Sequence, residues 1–286
     1  MELAAERLAT GPMHTLDLAF EVLKMRGNAG ALASALFALL GADPRFGVDA
    51  DGIWTLRAAS LAAGGSSAKV PFSSLRCAVV DVETTGGGPS RGDRVIEVAV
   101  VQIEGRVIGE SFDSLINPGR PIPPWIQGFT GITDRMVAPA PPFEGVAPRV
   151  RAWLDDRIFV AHNASFDWGF VSSEFLAVDG APPEMDRLCT VRLGRLLVPR
   201  LGSHGLDALT GHFGIRIDAR HRALGDAVAT ARLLLHLLEA AEERGIHDLG
   251  ALQAALAAGS QKRRGAARVP RQREPGDSGG RIRSGE

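Results

Sequence analysis

Two long apolar runs rich in β-branched residues, at 77–82 and 95–103, constrain the fold more than any other feature of the sequence. A glycine-rich stretch separates them, and a third strand-like run follows at 106–115. Apolar runs bounded by turn residues predict β-strands, and their short connections predict an antiparallel meander of three strands.

The pattern changes after this meander. Helical periodicity alternates with a strand-like run at 158–161 and a short strand or helix start at 188–193; the helical segments are 143–154, 165–176, 206–213 and 224–241. Strands that alternate with helices form a sheet with helices on its faces. We therefore expect residues 73–258 to form an α/β domain on a mixed β-sheet with flanking helices.

Residues 1–60 are predicted to form a second, smaller unit. Helical periodicity at 16–23 and a helix-like run at 31–40 precede two β-type runs joined at Asp51-Gly52, a dipeptide typical of hairpin turns. Helices followed by a hairpin resemble a small winged-helix module, so we expect a winged-helix-like α+β domain that binds nucleic acid. A helical cap packed on the larger domain is the alternative.

Two further segments lack the apolar periodicity of a folded unit. Residues 61–72 include the small and polar stretch 62–67 and are predicted to be a linker. Residues 259–286 hold Lys262, Arg263 and Arg264 among glycine, serine and proline, and are predicted to be a disordered basic tail.

The composition excludes several classes of protein. With 286 residues, 45% of them hydrophobic, the chain is long enough to bury one full core and a smaller second one. The longest apolar run near the start, 29–40, is too short to span a bilayer, so we expect no membrane contact and a cytoplasmic location. Cys77 and Cys189 lie far apart in apolar stretches, which predicts reduced thiols and neither a disulfide nor a zinc site.

The first predicted strand ends in two acids, Asp81 and Glu83. Residues two apart on a strand point to the same face, so these carboxylates are expected side by side. Two ionised carboxylates next to an apolar strand repel each other unless a divalent cation neutralises them. The pair alone is compatible with a turn cap as well as with a cation site.

Two further motifs place acids in the first turns of predicted helices. Asp167 follows a strand and a polar turn, and Asp226 follows His221 by five residues. Five residues on one continuous helix would point these side chains apart, so His221 is expected on the loop and Asp226 in the helix. A loop histidine suits a general base, whereas a fixed acid suits a metal ligand. Taken singly, a capping acid and a surface histidine are the ordinary interpretations.

In this order the three motifs resemble the DEDDh-type exonucleases, which include the proofreading ε subunit of bacterial DNA polymerase III. The resemblance runs from about residue 75 to 238 and includes Ile116-Asn117-Pro118 and the segment 130–133. The sequence contains no tyrosine, which excludes the related branch that has tyrosine in place of histidine. The resemblance implies a ribonuclease H-like fold for the larger domain.

The resemblance also implies roles for individual residues. It assigns one Mg²⁺ or Mn²⁺ to Asp81, Glu83 and Asp226, a second ion to Asp81 with Asp167 acting through water, and the role of general base to His221. It further implies contacts to the 3′-terminal nucleotide from a set of five residues, namely Thr84, Thr85, Gly131, Ile132 and Phe166. Where relatives often carry a histidine before the Gly-Ile loop, this chain has residues 125–129 without one, so contacts there are expected to differ.

The function predicted from this resemblance is a metal-dependent 3′→5′ exonuclease that removes nucleoside monophosphates from DNA ends in proofreading or repair. The expected partners are single-stranded DNA 3′ ends and a DNA polymerase. An RNA-trimming exonuclease is one alternative, since the preference for DNA or RNA depends on the contacts between the binding pocket and a 2′-OH. A nucleic-acid-binding scaffold without catalysis is the other, although an inactive scaffold gains nothing from the repulsion among complete carboxylates.

Overall fold

A computed structural model of the chain describes residues 2–9, 13–24, 32, 36, 39–40, 46–48, 52–56 and 69–266. The described residues form an N-terminal unit and a larger domain, each with its own hydrophobic core. Most of the predicted helix at 31–40 and the predicted linker stretch 62–67 lie outside the described residues.

The N-terminal unit combines helices with a small antiparallel sheet of strand order β1-β3-β2. Its elements are α1 (Glu2–Ala9), β1 (Met13–His14), α2 (Thr15–Leu23), β2 (Phe46–Val48) and β3 (Ile53–Leu56). The predicted hairpin is confirmed, because β2 pairs with β3. Trp54 is 1% exposed, and its indole N–H donates a hydrogen bond of 3.0 Å to Thr15 Oγ1. The winged-helix assignment stays a prediction.

The larger domain is built on a five-stranded mixed sheet of order β6-β5-β4-β7-β8. Its strands are β4 (Arg76–Thr84), β5 (Val95–Glu104), β6 (Val107–Leu115), β7 (Ile158–Ala161) and β8 (Arg187–Cys189). The predicted meander is confirmed, since β4, β5 and β6 pair antiparallel, and β7 and β8 continue the sheet in parallel with β4. This is the mixed sheet expected of a ribonuclease H-like fold.

Helices cover both faces of this sheet. Within the described residues they are α3 (Pro124–Thr130), α4 (Asp134–Val137), α5 (Phe143–Leu154), α6 (Ala164–Asp179), α7 (Thr190–Leu197), α8 (Leu206–His212), α9 (Ala223–Glu242) and α10 (Leu249–Ala266). Side chains alternate between the two faces of β4, so they belong to two separate core clusters. Cys77 and Val79 pack in the same cluster as the apolar face of α9, whereas Val80 and Val82 pack in the cluster that contains α5 and α6.

Strand β4 extends past its parallel neighbour. Only Cys77, Ala78 and Val79 pair with β7, because the chain leaves β7 at Ala161 and turns into α6. Asn163, in the left-handed region with φ 76°, makes this sharp turn. The last part of β4, from Val80 to Thr84, therefore keeps β5 on one side and has no strand on the other.

Both predicted boundaries of the larger domain need correction. The Leu249 N–H donates to the Val70 carbonyl (2.9 Å) and Phe72 is 1% exposed, so residues 70–72 of the predicted linker belong to the folded domain. The tail predicted to begin at 259 is helical as far as Ala266, because α10 continues from a turn anchored by the buried side chains of Leu252 and Leu256. The rest of that predicted tail, 267–286, lies outside the described residues.

Two smaller expectations concern the cysteines and membranes. Cys77 and Cys189 are both free thiols, as predicted, and burial raises the pKa of Cys77 to about 12. In the part of the chain that the structure describes, no helix combines the length and the apolarity that a membrane crossing requires.

Candidate active site

Three carboxylates meet at the free end of β4. Asp81 and Glu83 lie on the sheet face that α9 covers, and Asp226 lies in the first turn of α9. One oxygen from each of the three lies within 4.8 Å of the others. The predicted positions of these three acids are thus consistent with the structure, down to the helix turn that carries Asp226.

Asp167 lies beside this trio, in the first turn of α6. Its side chain is buried, and its Oδ1 accepts a hydrogen bond of 3.3 Å from the Val82 N–H. This N–H belongs to the part of β4 that lacks β7 as a neighbour, so the carboxylate takes the place of a strand partner. Asp167 is close enough for its charge to raise the pKa of Asp81.

Burial governs the protonation of all four acids. It raises the pKa of Glu83 to about 7 and that of Asp167 to about 8, and it raises the pKa of Asp226. The pKa of Asp81 lies well above its usual value, first through burial and then through the charges of Asp167, Asp226 and Glu83. A site of this kind holds its negative charge at neutral pH only with a cation nearby.

The site fits a hard divalent cation. Asp226 Oδ1 is buried and has no hydrogen-bond partner in the structure. A carboxylate oxygen without a donor, next to two further carboxylates, is the kind of ligand that Mg²⁺ and Mn²⁺ prefer. Asp81, Glu83 and Asp226 are therefore the residues that would hold such an ion.

Arg220 supplies a positive charge at the same place. Its Nη1 donates to Asp226 Oδ2, and its Nε donates to Asp207 Oδ1 at 2.8 Å. The charge of Arg220 lowers the pKa of Asp226 and so opposes the effect of burial. Arg220 was not among the predicted site residues, although its position next to His221 was a signal for it.

His221 lies on the loop before α9, as predicted. Its backbone N–H donates to Asp226 Oδ2 (3.3 Å), and its ring centroid is 4.0 Å from that of Phe129. The Nδ1 atom of His221 lies 3.4 Å from Nη1 of Arg220. The His221 ring is therefore held between Phe129 and Arg220, next to the carboxylates.

A buried carboxylate on β5 fixes the start of α9. Glu97 is 2% exposed and accepts hydrogen bonds from Arg222 Nε (3.1 Å) and from the Ala223 N–H (2.8 Å). Gly225 lets the preceding loop pack directly on this turn, because a Cβ at this position would lie 2.1 Å from the Asp218 carbonyl oxygen. Both contacts position Asp226, and neither was predicted from the sequence.

The two threonines predicted to bind substrate are buried, Thr84 as the last residue of β4 and Thr85 in the turn that follows. The Thr84 hydroxyl donates to the Gly86 carbonyl at 2.7 Å, and Thr85 Oγ1 accepts from the Arg94 N–H at 3.0 Å. Phe166 is half-buried, with its ring 5.0 Å from that of Phe170. These residues therefore lie near the carboxylates, but the hydroxyl groups of both threonines are engaged in hydrogen bonds at the turn.

The predicted Gly-Ile loop follows α3. Gly131 ends this helix with a φ of 71°, and Ile132 is fully buried in a small cluster with Ile96 and Ile126. The structure therefore places the Ile132 side chain in the core and not on a surface that a ligand could reach. The exposed side chains of this segment belong to α3 itself.

A cleft of about 570 Å³ opens beside Asp81 and Asp226. His162 lines it and lies with Nδ1 2.8 Å from Thr190 Oγ1; burial, followed by the charge of Arg220, lowers the pKa of His162 to about 4. His162 is therefore neutral at physiological pH. A groove of about 690 Å³ lies at the other end of the sheet, next to the start of β4 and away from the carboxylates.

Comparison with known families explains this arrangement. Residues 78–234, more than half of the chain, match the family described as Exonuclease. The chain belongs to the exonuclease family. All four carboxylates and His221 fall inside the matched range.

Two curated relatives match this exonuclease-family chain over part of their length. The chain is 43% identical over 198 residues to the DNA polymerase III subunit epsilon-like protein of Rhodobacter capsulatus, which covers 67% of the chain and 28% of the relative. It is 42% identical over 164 residues to the 3′-5′ exonuclease DinG of Bacillus subtilis, covering 57% of the chain and 18% of that protein. The chain thus spans less than a third of the length of either relative.

Solved structures support the fold. E. coli Exonuclease I in complex with a dT13 oligonucleotide aligns with a TM-score of 0.53 and 20% identity, covering 59% of this chain and 42% of that one. At this level of identity the similarity concerns the architecture of the larger domain alone.

Proposed function

We propose that the chain is a metal-dependent 3′→5′ exonuclease that removes nucleoside monophosphates from DNA ends by a two-metal mechanism, in proofreading or repair. The observation that carries the proposal is the convergence of Asp81, Glu83 and Asp226 within 4.8 Å, with the buried Asp167 beside them. The names of the relatives, a polymerase III epsilon-like protein and a 3′-5′ exonuclease, support the direction of cutting and the choice of DNA.

Each residue has a defined task in this proposal. Asp81, Glu83 and Asp226 would hold one Mg²⁺ or Mn²⁺, and Asp81, with Asp167 acting through water, would hold the second. When bound, such ions activate a water molecule and stabilise the leaving oxygen of an in-line displacement. His221 accepts the proton of the attacking water, and its backbone contact to Asp226 keeps it next to the ligands.

The proposal is tested with single-stranded DNA labelled at its 5′ end, incubated with the full chain and Mg²⁺ or Mn²⁺. We expect a ladder of products shortened from the 3′ end. Asp81→Asn and Asp226→Asn should abolish the ladder, and His221→Gln should slow it by about 100-fold or more. Glu110→Gln, which alters an exposed acid on β6, is the matched control and should cut like the wild type.

Two further arms separate the alternatives. RNA of the same sequence and a mismatched duplex show whether the chain prefers a trimming or a proofreading substrate. If the wild type binds DNA tightly yet leaves every end intact with both metals, the chain is a binding scaffold and the proposal fails.

We also propose a DNA polymerase as partner and the cytoplasm as location. The support is that several relatives are named as DNA polymerase III proteins. Purification of the tagged chain from its own host should recover a polymerase subunit from the cytoplasmic fraction, and recovery of the chain alone would argue for a free-standing enzyme.

A further inference from the structure

Arg220 reaches the candidate active site from the wall of the cleft. Its side chain is 33% exposed and lines the cleft together with Asp81 and Asp226. At its tip, Nη1 donates to Oδ2 of Asp226, a carboxylate whose side chain is only 5% exposed. The guanidinium therefore lies between the open cleft and the buried carboxylates.

Asp207 anchors this guanidinium from the other side. Arg220 Nε donates to Asp207 Oδ1 at 2.8 Å, and Nη2 donates to Asp207 Oδ2 at 3.4 Å. Two of the nitrogen atoms thus bind the anchor, whereas Nη1 binds Asp226. Because Asp207 lies in the first turn of α8, outside the set of proposed metal ligands, Nη1 can change its partner while the anchor stays in place.

Cation binding at Asp226 makes the ion pair with Arg220 superfluous. A carboxylate that binds a divalent cation no longer gains from a neighbouring guanidinium, and the two positive charges repel each other. Nη1 is then a charged donor without an acceptor. One oxygen of Asp226 lies within 4.8 Å of oxygens from Asp81 and Glu83, so a group bound to these acids lies within reach of Nη1.

The scissile phosphate is the acceptor that the proposed reaction supplies. Four carboxylates and two divalent cations carry balancing charges, so the phosphodiester brings a further negative charge that the site must stabilise during the displacement. Arginine suits phosphate oxygens because its planar fork donates several hydrogen bonds at once. A guanidinium held by Asp207 is oriented for this contact before the strand arrives.

We propose that Arg220 is a further catalytic residue, whose Nη1 exchanges Asp226 for a non-bridging oxygen of the scissile phosphate once the site binds its metal ions. Asp207 is the positioning residue for Arg220. This inference rests on the proposed function, since it assigns a contact within the same site. Hydrolysis breaks the bond between phosphorus and the 3′ oxygen of the preceding nucleotide, so the released monophosphate keeps the phosphate that Arg220 contacts.

The test measures binding of this product, which requires no cutting. Isothermal titration calorimetry of the full chain in saturating Mn²⁺ gives the affinity for dTMP and for thymidine, which has the same base and sugar but no phosphate. Arg220→Gln should weaken dTMP binding about tenfold, the loss expected for one charged hydrogen bond, and should leave thymidine binding unchanged. Arg106→Gln removes an arginine that is also ion-paired and is 34% exposed; it is the matched control and should bind both compounds like the wild type.

Two further variants test the anchor. Arg220→Lys keeps the positive charge but cannot bind Asp207 and a phosphate at the same time, so dTMP binding should weaken about threefold. Asp207→Asn should weaken it to a similar extent, but should have no effect when Arg220 is already replaced by glutamine, because Asp207 acts only through the guanidinium. Losses of equal size with and without Arg220 would contradict the positioning role of Asp207.

Turnover provides a second measurement. In saturating Mn²⁺, Arg220→Gln should lower kcat for the shortening of single-stranded DNA about 100-fold and raise KM no more than about tenfold, as expected of a contact that strengthens in the transition state. A variant that loses KM alone would contradict the catalytic role.

The outcomes distinguish this inference from the proposed function. If the wild type shortens DNA but Arg220→Gln binds dTMP as tightly as the wild type, Arg220 does not contact the phosphate and the inference alone fails. Wild-type binding of dTMP that is no tighter than that of thymidine leads to the same conclusion. If the wild type leaves every end intact in Mn²⁺ but binds dTMP through Arg220, the phosphate contact stands and the proposed function fails.

Discussion

Four carboxylates, of which Asp167 and Asp226 are buried and Asp81 and Glu83 half-buried, oppose the folded state of this protein when no cation is bound. Burial raises the pKa of Glu83 to about 7 and that of Asp167 to about 8. An acid whose pKa is higher in the folded state binds protons more tightly there, so its contribution to stability is lost as the pH rises through the folded pKa. His162 acts in the opposite sense, but only below its ordinary pKa of 6.5.

The metal-free protein should therefore become less stable between pH 6.5 and 8. We expect its melting temperature in EDTA to fall by about 5 °C over this range, and Mg²⁺ or Mn²⁺ at pH 8 to restore it. Differential scanning fluorimetry measures both effects. Asp167→Asn should flatten the pH profile, and a wild-type melting temperature that is constant or rises with pH would contradict the explanation.

Arg220 competes with a metal ion for Asp226. Its guanidinium donates to Asp226 Oδ2, the partner oxygen of the unpaired Oδ1. Arg220→Gln should tighten Mn²⁺ binding about fivefold, because removal of a neighbouring positive charge favours a cation. It should also lower the melting temperature of the metal-free protein, since Asp226 loses its ion-pair partner.

Electron paramagnetic resonance of free Mn²⁺ measures this affinity independently of activity. Arg106→Gln, at the turn between β5 and β6, removes a positive charge elsewhere and serves as the control. Weaker Mn²⁺ binding by the Arg220 variant would mean that the guanidinium organises Asp226 for the ion.

Sequence reasoning reached the four acids but not the residues that position them. The alternation of a strand and the five-residue spacing to His221 predicted where Asp81, Glu83 and Asp226 would lie, whereas their role as metal ligands came only from the resemblance to DEDDh-type exonucleases. Glu97 could not be found in this way, because it lies within an apolar run and its partner Ala223 is 126 residues away. A contact between distant segments leaves no local pattern in the sequence.

At the level of elements, the start of α9 determines the geometry of the site. Gly225 allows the loop with Arg220 and His221 to lie against the first helical turn. Gly225→Ala should lower the proposed exonuclease rate at least tenfold, since its Cβ would displace the Asp218 and Ala219 carbonyl groups, which cannot move without shifting His221. Steady-state rates and urea unfolding report the two effects separately.

Gly211 provides the matched control for this prediction. It lies in α8, where a Cβ would meet nothing within 4 Å. Gly211→Ala should leave the rate unchanged and stabilise the protein by up to about 1 kcal/mol through helix propensity. Equal rates for the two variants would show that the loop tolerates displacement.

The elements that the sequence predicted least well are those with a short or interrupted apolar period. Helix α3 has seven residues, too few for a periodicity to emerge. Helix α10 was not among the predicted helices, and its apolar period ends after Leu256 although the helix continues to Ala266. Long elements such as α9, buried along one face, were predicted within a residue or two.

At the scale of the whole molecule, the larger domain has the contacts of an independent folding unit. Its first described residues bind its last helix through the Val70–Leu249 hydrogen bond, and Phe72 and Leu75 are fully buried in its core. We expect residues 69–266 to fold alone and to keep the proposed catalytic rate within about twofold of the full chain, because the carboxylate site lies inside them.

A shorter version tests the reason for this independence. Residues 76–266 lack Phe72 and Leu75, and removal of two buried side chains should destabilise the domain by on the order of 5 kcal/mol. Urea unfolding of both versions measures the difference. If residues 69–266 are also unstable, the N-terminal unit contributes to the stability of the larger domain. If residues 69–266 are stable but show a higher KM than the full chain, the N-terminal unit contributes to substrate binding.

The first half of strand β4 contributes to the stability of the sheet, and its second half carries residues of the candidate active site. Its first half is flanked by β5 and β7, whereas its second half has left β7 behind and carries Asp81 and Glu83. Conservative changes before Val80 should therefore alter stability while leaving turnover intact, whereas changes at Asp81 and Glu83 should alter turnover. An enzyme built in this way can adapt to a new temperature and to a new substrate through separate sets of mutations.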